Sequence, residues 1–249
     1  MKRVGFILIG SFLLLFLLSC GQSPPLEVYN PTQMIVPVHE GNYWAVWNSY
    51  LSRVDTLRYI PRGDGWYYVC WNNSSSSDYF AKYTNEGLVY YIENGTKAPI
   101  DILGRRDFNS SSFAKSILQS KSITYLLAKY PIRRGEKWLL FGNIMITDEE
   151  NFGPSDAYVD FYLTCINKAV NVDTPAGSFD CVVYEMSWEY HGAENPYPEA
   201  QRFYYYAPGV GCILSNYRNN EQDELIIDYE LVDYHIEPIV KREYTFITK

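Results

Sequence analysis

The sequence predicts a mainly β protein: a curved antiparallel sheet, built as an open half-barrel or a sandwich, with at most one or two short helices. Three observations predict it. Aromatic residues make up 17% of the 249 residues, 24 of them Tyr and 6 Trp, and such side chains fit a pleated, half-buried surface. Short apolar or alternating runs recur along the whole chain between turn-forming clusters, as expected for strands joined by tight connections. Only one stretch, Phe113 to Tyr130, has apolar residues at helix-like intervals.

In order, Met34–Val38 is an apolar run that reads as a short strand, closed by His39-Glu40-Gly41-Asn42. Tyr43–Tyr50 follows as a loosely alternating strand. Arg53–Ile60 and the dense aromatic run Trp66–Trp71 flank the turn Pro61-Arg62-Gly63-Asp64-Gly65 and read as a β-hairpin. Beyond a polar loop at Asn72–Asp78, four of whose residues are serine, Tyr79–Tyr83 and Leu88–Glu93 flank Asn85-Glu86-Gly87 as a second hairpin. The pattern breaks down over Pro99–Ser112. Phe113, Ile117, Ile123, Leu126 and Leu127 then suggest the helix, weakened by serines and Thr124.

Strand logic resumes with Trp138–Thr147, an acidic loop at Asp148–Asp156, and Ala157–Val172. Thr174-Pro175-Ala176-Gly177 is a turn. Cys181–Tyr190 alternates well, placing Val183, Glu185, Ser187 and Glu189 opposite Val182, Tyr184, Met186 and Trp188. Arg202–Tyr206 leads through Ala207-Pro208-Gly209-Val210-Gly211 into Cys212–Arg218, and Glu224–Tyr234 and Glu243–Ile247 close the chain. One β domain over 34–249 is expected, with a two-half organisation breaking near 96–130 as its variant.

The N-terminus carries an address. Lys2 and Arg3 precede an apolar run from Val4 to Leu18, short for a membrane span, which needs roughly 20 residues, but of signal-peptide length. Leu17-Leu18-Ser19-Cys20-Gly21 resembles the lipobox of bacterial lipoproteins. The resemblance implies cleavage after residue 19, a diacylglycerol on Cys20 and an acyl chain on its freed amine. Residues 20–33, with Pro24 and Pro25, then form a flexible tether. Two or three chains give a lasting anchor where one binds marginally. Without an aspartate after Cys20, the outer membrane is the expected destination, its periplasmic or surface face left open.

The formal charge is −8, and the signal removes Lys2 and Arg3 and no acid, so the mature body is more acidic still. With no basic stripe, nucleic acid is not an expected partner. The expected partners are the membrane, through lipid, and an apolar small molecule or an envelope protein.

Two segments resemble TapB-like exported proteins. Thr174-Pro175-Ala176-Gly177-Ser178-Phe179-Asp180-Cys181 looks like the "TPAGxFxxC" turn of that group, and Tyr204-Tyr205-Tyr206-Ala207-Pro208-Gly209-Val210-Gly211 resembles its "YYAPGVG" element. Gly41-Asn42-Tyr43-Trp44 and Arg134-Gly135-Glu136-Lys137-Trp138 resemble its paired openings. The likeness is specific over about 130–234 and weaker over 35–95. It implies strongly curved antiparallel sheets, similar to the half-barrels of periplasmic lipoprotein carriers, and brings no catalytic residue. Pro175, Gly177, Pro208, Gly209 and Gly211 read as fold-determining turn residues.

No catalytic grammar emerges. His39, His191 and His235 lack metal-binding company, Ser74–Ser77 lies in a loop outside any G-x-S-x-G elbow, and there is no Walker loop or G-x-G-x-x-G fingerprint. Asp148, Glu149, Glu150 and Asp156 lack calcium-loop spacing. Glu185 and Glu189 share a strand face near Asp180, and would serve glycoside hydrolysis only if two carboxyls faced each other across a cleft. Cys70, Cys165, Cys181 and Cys212 leave three disulfide pairings open, with buried free thiols equally admissible. The expected function is therefore a non-catalytic envelope lipoprotein, a binding or assembly module using a concave β-surface, without cofactor or metal; an enzyme acting on an envelope or extracellular polymer is the alternative.

Overall fold

A computed structural model describes residues 34–49, 51–75, 77, 79–93, 123–145, 158–191, 201–219 and 224–238. They form twelve strands in one antiparallel sheet: β1 (Tyr43–Asn48), β2 (Arg53–Gly63), β3 (Trp66–Trp71), β4 (Tyr79–Thr84), β5 (Gly87–Ile92), β6 (Ile123–Lys129), β7 (Lys137–Met145), β8 (Tyr158–Thr174), β9 (Gly177–His191), β10 (Arg202–Ala207), β11 (Gly211–Asn219) and β12 (Glu224–His235). No helix occurs among the described residues, and so none there is long and apolar enough to cross a membrane.

Each strand pairs with its neighbour in sequence, except that β6 and β7 do not pair and β1 pairs with β12. The first and last strands thus meet in the middle of the sheet. The sheet bends into a nearly closed barrel, and its two edges, β6 and β7, face each other across a seam. Curvature has an identifiable source. Register shifts interrupt the ladders at Ala45/Val46, Pro61/Gly63, Leu88/Val89, Tyr205/Tyr206 and Ser215/Asn216, and twice more in β7. Each extra residue bends its strand and increases the local twist. At the seam side chains stand in for the missing ladder: the Trp138 indole donates to the Leu126 carbonyl at 2.9 Å, the Tyr184 hydroxyl to the Lys129 carbonyl at 2.7 Å, and Lys129 pairs with Glu136.

Two sequence expectations are corrected. Met34–Val38 is not a strand. Pro37 has no N–H to give a ladder; the Ile35 amide donates to the Tyr83 hydroxyl (2.7 Å), and the Met34 carbonyl accepts from Gly209 (2.6 Å). Ile35, Val36, Pro37 and Val38 are all buried, covering the end of the barrel where the β4–β5 and β10–β11 turns lie. Buried Asn42 fastens this cap, donating to the Pro37 carbonyl and accepting from the Glu237 amide. The second correction is the helix over Phe113–Tyr130. Ile123–Lys129 is the strand β6, paired with β5 from Ile92↔Ile123 to Gly87↔Lys129; Phe113–Ser122 lies outside the described residues. Thr124 and Tyr125 are strand formers, and the open edge of β5 supplied the partner that local spacing could not reveal.

The β8–β9 hairpin is the longest, 17 and 15 residues. Its turn at Pro175-Ala176 folds back on β12: the Ala176 amide donates to the Leu231 carbonyl (3.4 Å) and Phe179 meets Tyr234 edge-on at 5.8 Å.

Candidate binding site inside the barrel

Because successive strand residues point to opposite faces, every strand sends one set of side chains into the barrel. Those sets are large and apolar, and they leave an interior cavity of about 160 Å³ whose walls are mostly carbon. Trp44 and Tyr59 meet edge to face at 5.4 Å near the capped end, and Tyr184 and Tyr206 pack at 5.5 Å on the opposite wall. Trp44 is held in place because its indole donates to the Val210 carbonyl. Gly211, at φ +122°, lies where a Cβ would come within 3.1 Å of that indole nitrogen, so the close approach requires glycine.

The tyrosines inside are un-ionised rather than reactive. Tyr59 and Tyr90 share a 2.9 Å hydrogen bond. Burial pushes Tyr90 up to about 12 and holds Tyr59, Tyr125 and Tyr206 well above the ordinary phenol value. All stay protonated at neutral pH, and none is poised as an acid or base.

Toward the end of the barrel opposite the Ile35–Val38 cap the wall becomes polar. Arg202, the first residue of β10, is 2% exposed; its guanidinium lies 3.0 Å from Asp228 and 5.8 Å from the Tyr217 ring. Ser215 stands directly across from Tyr204 on one side and Tyr229 on the other, and all three line the cavity. The Ser215 hydroxyl is 1% exposed as a residue and has no hydrogen-bond partner; the buried Tyr125 hydroxyl has none either. Buried Asp55 gathers a separate cluster, accepting from Asn48 (3.1 Å), Arg53 (2.7 Å) and Asn72 (2.7 Å).

The residues singled out in the sequence fall elsewhere. His191 contacts Asp160 at 3.1 Å and stacks on Tyr158, His235 contacts Glu237 at 3.3 Å and stacks on Tyr43, and His39 bonds the Glu40 carbonyl. No group of three metal-ligating side chains forms among the described residues. Glu189 is half exposed and paired with Lys137 at 2.7 Å, which holds its carboxyl below the usual range. Glu185 alternates with the inward Tyr184 and Met186, and Asp180 is exposed beside Asn171. These acids do not confront one another across a cleft. Ser74 and Ser75 are exposed. Asp148, Glu149, Glu150, Asp156 and Cys20 lie outside the described residues.

Cys70, Cys165, Cys181 and Cys212 are free thiols. Burial pushes Cys181 and Cys212 up to about 12, so neither is a nucleophile at neutral pH. Pro175 and Ala176 form the two-residue turn of the β8–β9 hairpin, with Gly177 at φ +137°; Pro208 and Gly209, at φ +83°, form the β10–β11 turn. Arg202, Asp228 and Ser215 were not foreseen. The available signal was register: Arg202 shares the parity of Tyr204 and Tyr206 on an otherwise aromatic strand.

No protein-family model and no curated protein sequence matches the chain. Among solved structures it is similar to a protein of Bacteroides fragilis, described as an inferred exported protein with a YmcC-like fold, at 12% identity and a TM-score of 0.44, covering 82% of this chain and 100% of that one. It is also similar to an inferred lipoprotein of Parabacteroides distasonis, at 13% identity and a TM-score of 0.40, covering 82% of this chain and 99% of that one.

Proposed function

We propose that this chain is a non-catalytic lipoprotein of the cell envelope, anchored by lipid on Cys20, that takes an apolar group into the interior of its barrel. The observation that carries the reading is the cavity. A protein interior normally packs with few voids larger than a water molecule, whereas here about 160 Å³ remains open between aromatic and aliphatic walls. An apolar cavity of about 150 Å³ stays dry and accepts benzene. Typical ligand pockets are larger, about 300–1,000 Å³. Size therefore favours one ring or a short hydrocarbon segment over a whole lipid. The neutral tyrosines and unreactive thiols lining or flanking the cavity suit holding rather than chemistry.

The test is native mass spectrometry of the soluble body, from Gly21 onward, purified from its own envelope. A co-purifying small molecule of apolar character is the expected result. A clean apoprotein mass, together with failure of small aromatic probes to raise the unfolding temperature, overturns the reading.

A further inference from the structure

We infer that the barrel binds a neutral amphipathic ligand, whose apolar body fills the Trp44–Tyr206 end of the cavity and whose single uncharged hydrogen-bonding group meets the Ser215 hydroxyl. This deepens the reading of the cavity as a ligand site and rests on it.

Ser215 gives the cavity wall a polar point. Tyr204, Ser215 and Tyr229 lie side by side across β10, β11 and β12, and all three face the space. Of these, Ser215 carries a hydroxyl that is buried without a partner. An unsatisfied buried hydroxyl costs about 1–3 kcal/mol, so buried polar groups are ordinarily paired and an exception calls for a reason. A ligand hydroxyl, phenol, amide or ester supplies the missing partner.

Charge is selected against. Arg202, on the same strand as Tyr204, is already neutralised by Asp228 at 3.0 Å and offers no net positive charge to a carboxylate or phosphate. An ion moved into these carbon walls would lose its hydration without compensation. Burial also keeps the surrounding tyrosines un-ionised, so the walls offer no anion to a cationic head either.

The probes are phenol, its near-isostere toluene, and benzoate, each titrated calorimetrically into wild-type protein and Ser215→Ala at pH 7. The variant should fold with unchanged or higher thermal stability, because the hydroxyl it removes is unpaired in the empty protein. Wild type should bind phenol and toluene and exclude benzoate. In Ser215→Ala the phenol-to-toluene affinity ratio should fall about tenfold, the effect of one lost hydrogen bond in a buried site. An unchanged ratio overturns the inference, since the hydroxyl would then serve only a trapped water. Benzoate binding as tightly as phenol overturns the neutral-head requirement. If wild type binds neither phenol nor toluene, the cavity itself is no ligand site and the reading beneath this one fails.

Discussion

Replacing Arg202 with Met tests what the buried ion pair with Asp228 contributes to the barrel. The side chain is 2% exposed and its partner Asp228 16% exposed, at 3.0 Å. Removing one member of a buried pair costs about 3–5 kcal/mol, because the other charge is left desolvated. The residual exposure of Asp228 places the expected loss at the lower end, about 3 kcal/mol, measured by urea unfolding at pH 7. Converting both residues, as Arg202→Met with Asp228→Leu, should restore most of the loss, since a packed apolar pair is about as stable as a buried ion pair. A loss below about 1 kcal/mol would refute the argument that the buried pair depends on Arg202.

Gly87→Ala should destabilise by at least about 2 kcal/mol: a φ of +136° is strained for alanine, and the new Cβ would fall 2.1 Å from the Ala128 carbonyl oxygen. Hydrogen exchange should locate the damage at the β5–β6 pairing, and unchanged protection there would count against it. The buried thiols of Cys70, Cys165 and Cys181 should react negligibly with Ellman's reagent at pH 8 and fully in urea; rapid native labelling of Cys181 would contradict its burial. Since folding raises Cys181 and Cys212 to about 12 from about 8.5 in the unfolded chain, their contribution to stability is complete below about pH 8.5 and is lost as pH climbs toward 12. The urea midpoint should therefore fall between pH 7.5 and 10.5, and a rising midpoint would reverse the sign. Cys20→Ala should leave the protein soluble or stalled uncleaved; a variant that fractionates like processed wild type would defeat the lipid assignment.

Much of the β architecture was legible because strand alternation is local. Trp66–Trp71, Tyr79–Tyr83 and Cys181–Tyr190 carry their pattern in neighbouring residues, and the strands β3, β4 and β9 cover them. The failures were places where local pattern is ambiguous. Ile123, Leu126 and Leu127 satisfy a helical spacing, yet the free edge of β5 made them a strand. Ile35 and Val36 are apolar because they seal a barrel end, and no ladder was available to them.

What the sequence determined by itself was the fold class and the likeness of Leu17–Gly21 to a lipidation signal, both written in short stretches of chain. Tertiary structure decided the pairing of Trp44 with Tyr234, 190 positions apart, and with it the joining of the two halves into one sheet. It also decided that Arg202 meets Asp228 and that Ser215 faces a cavity without a partner. An inward residue and an outward one differ by a single step of register, and the bulges that set the register take their place only when distant strands meet.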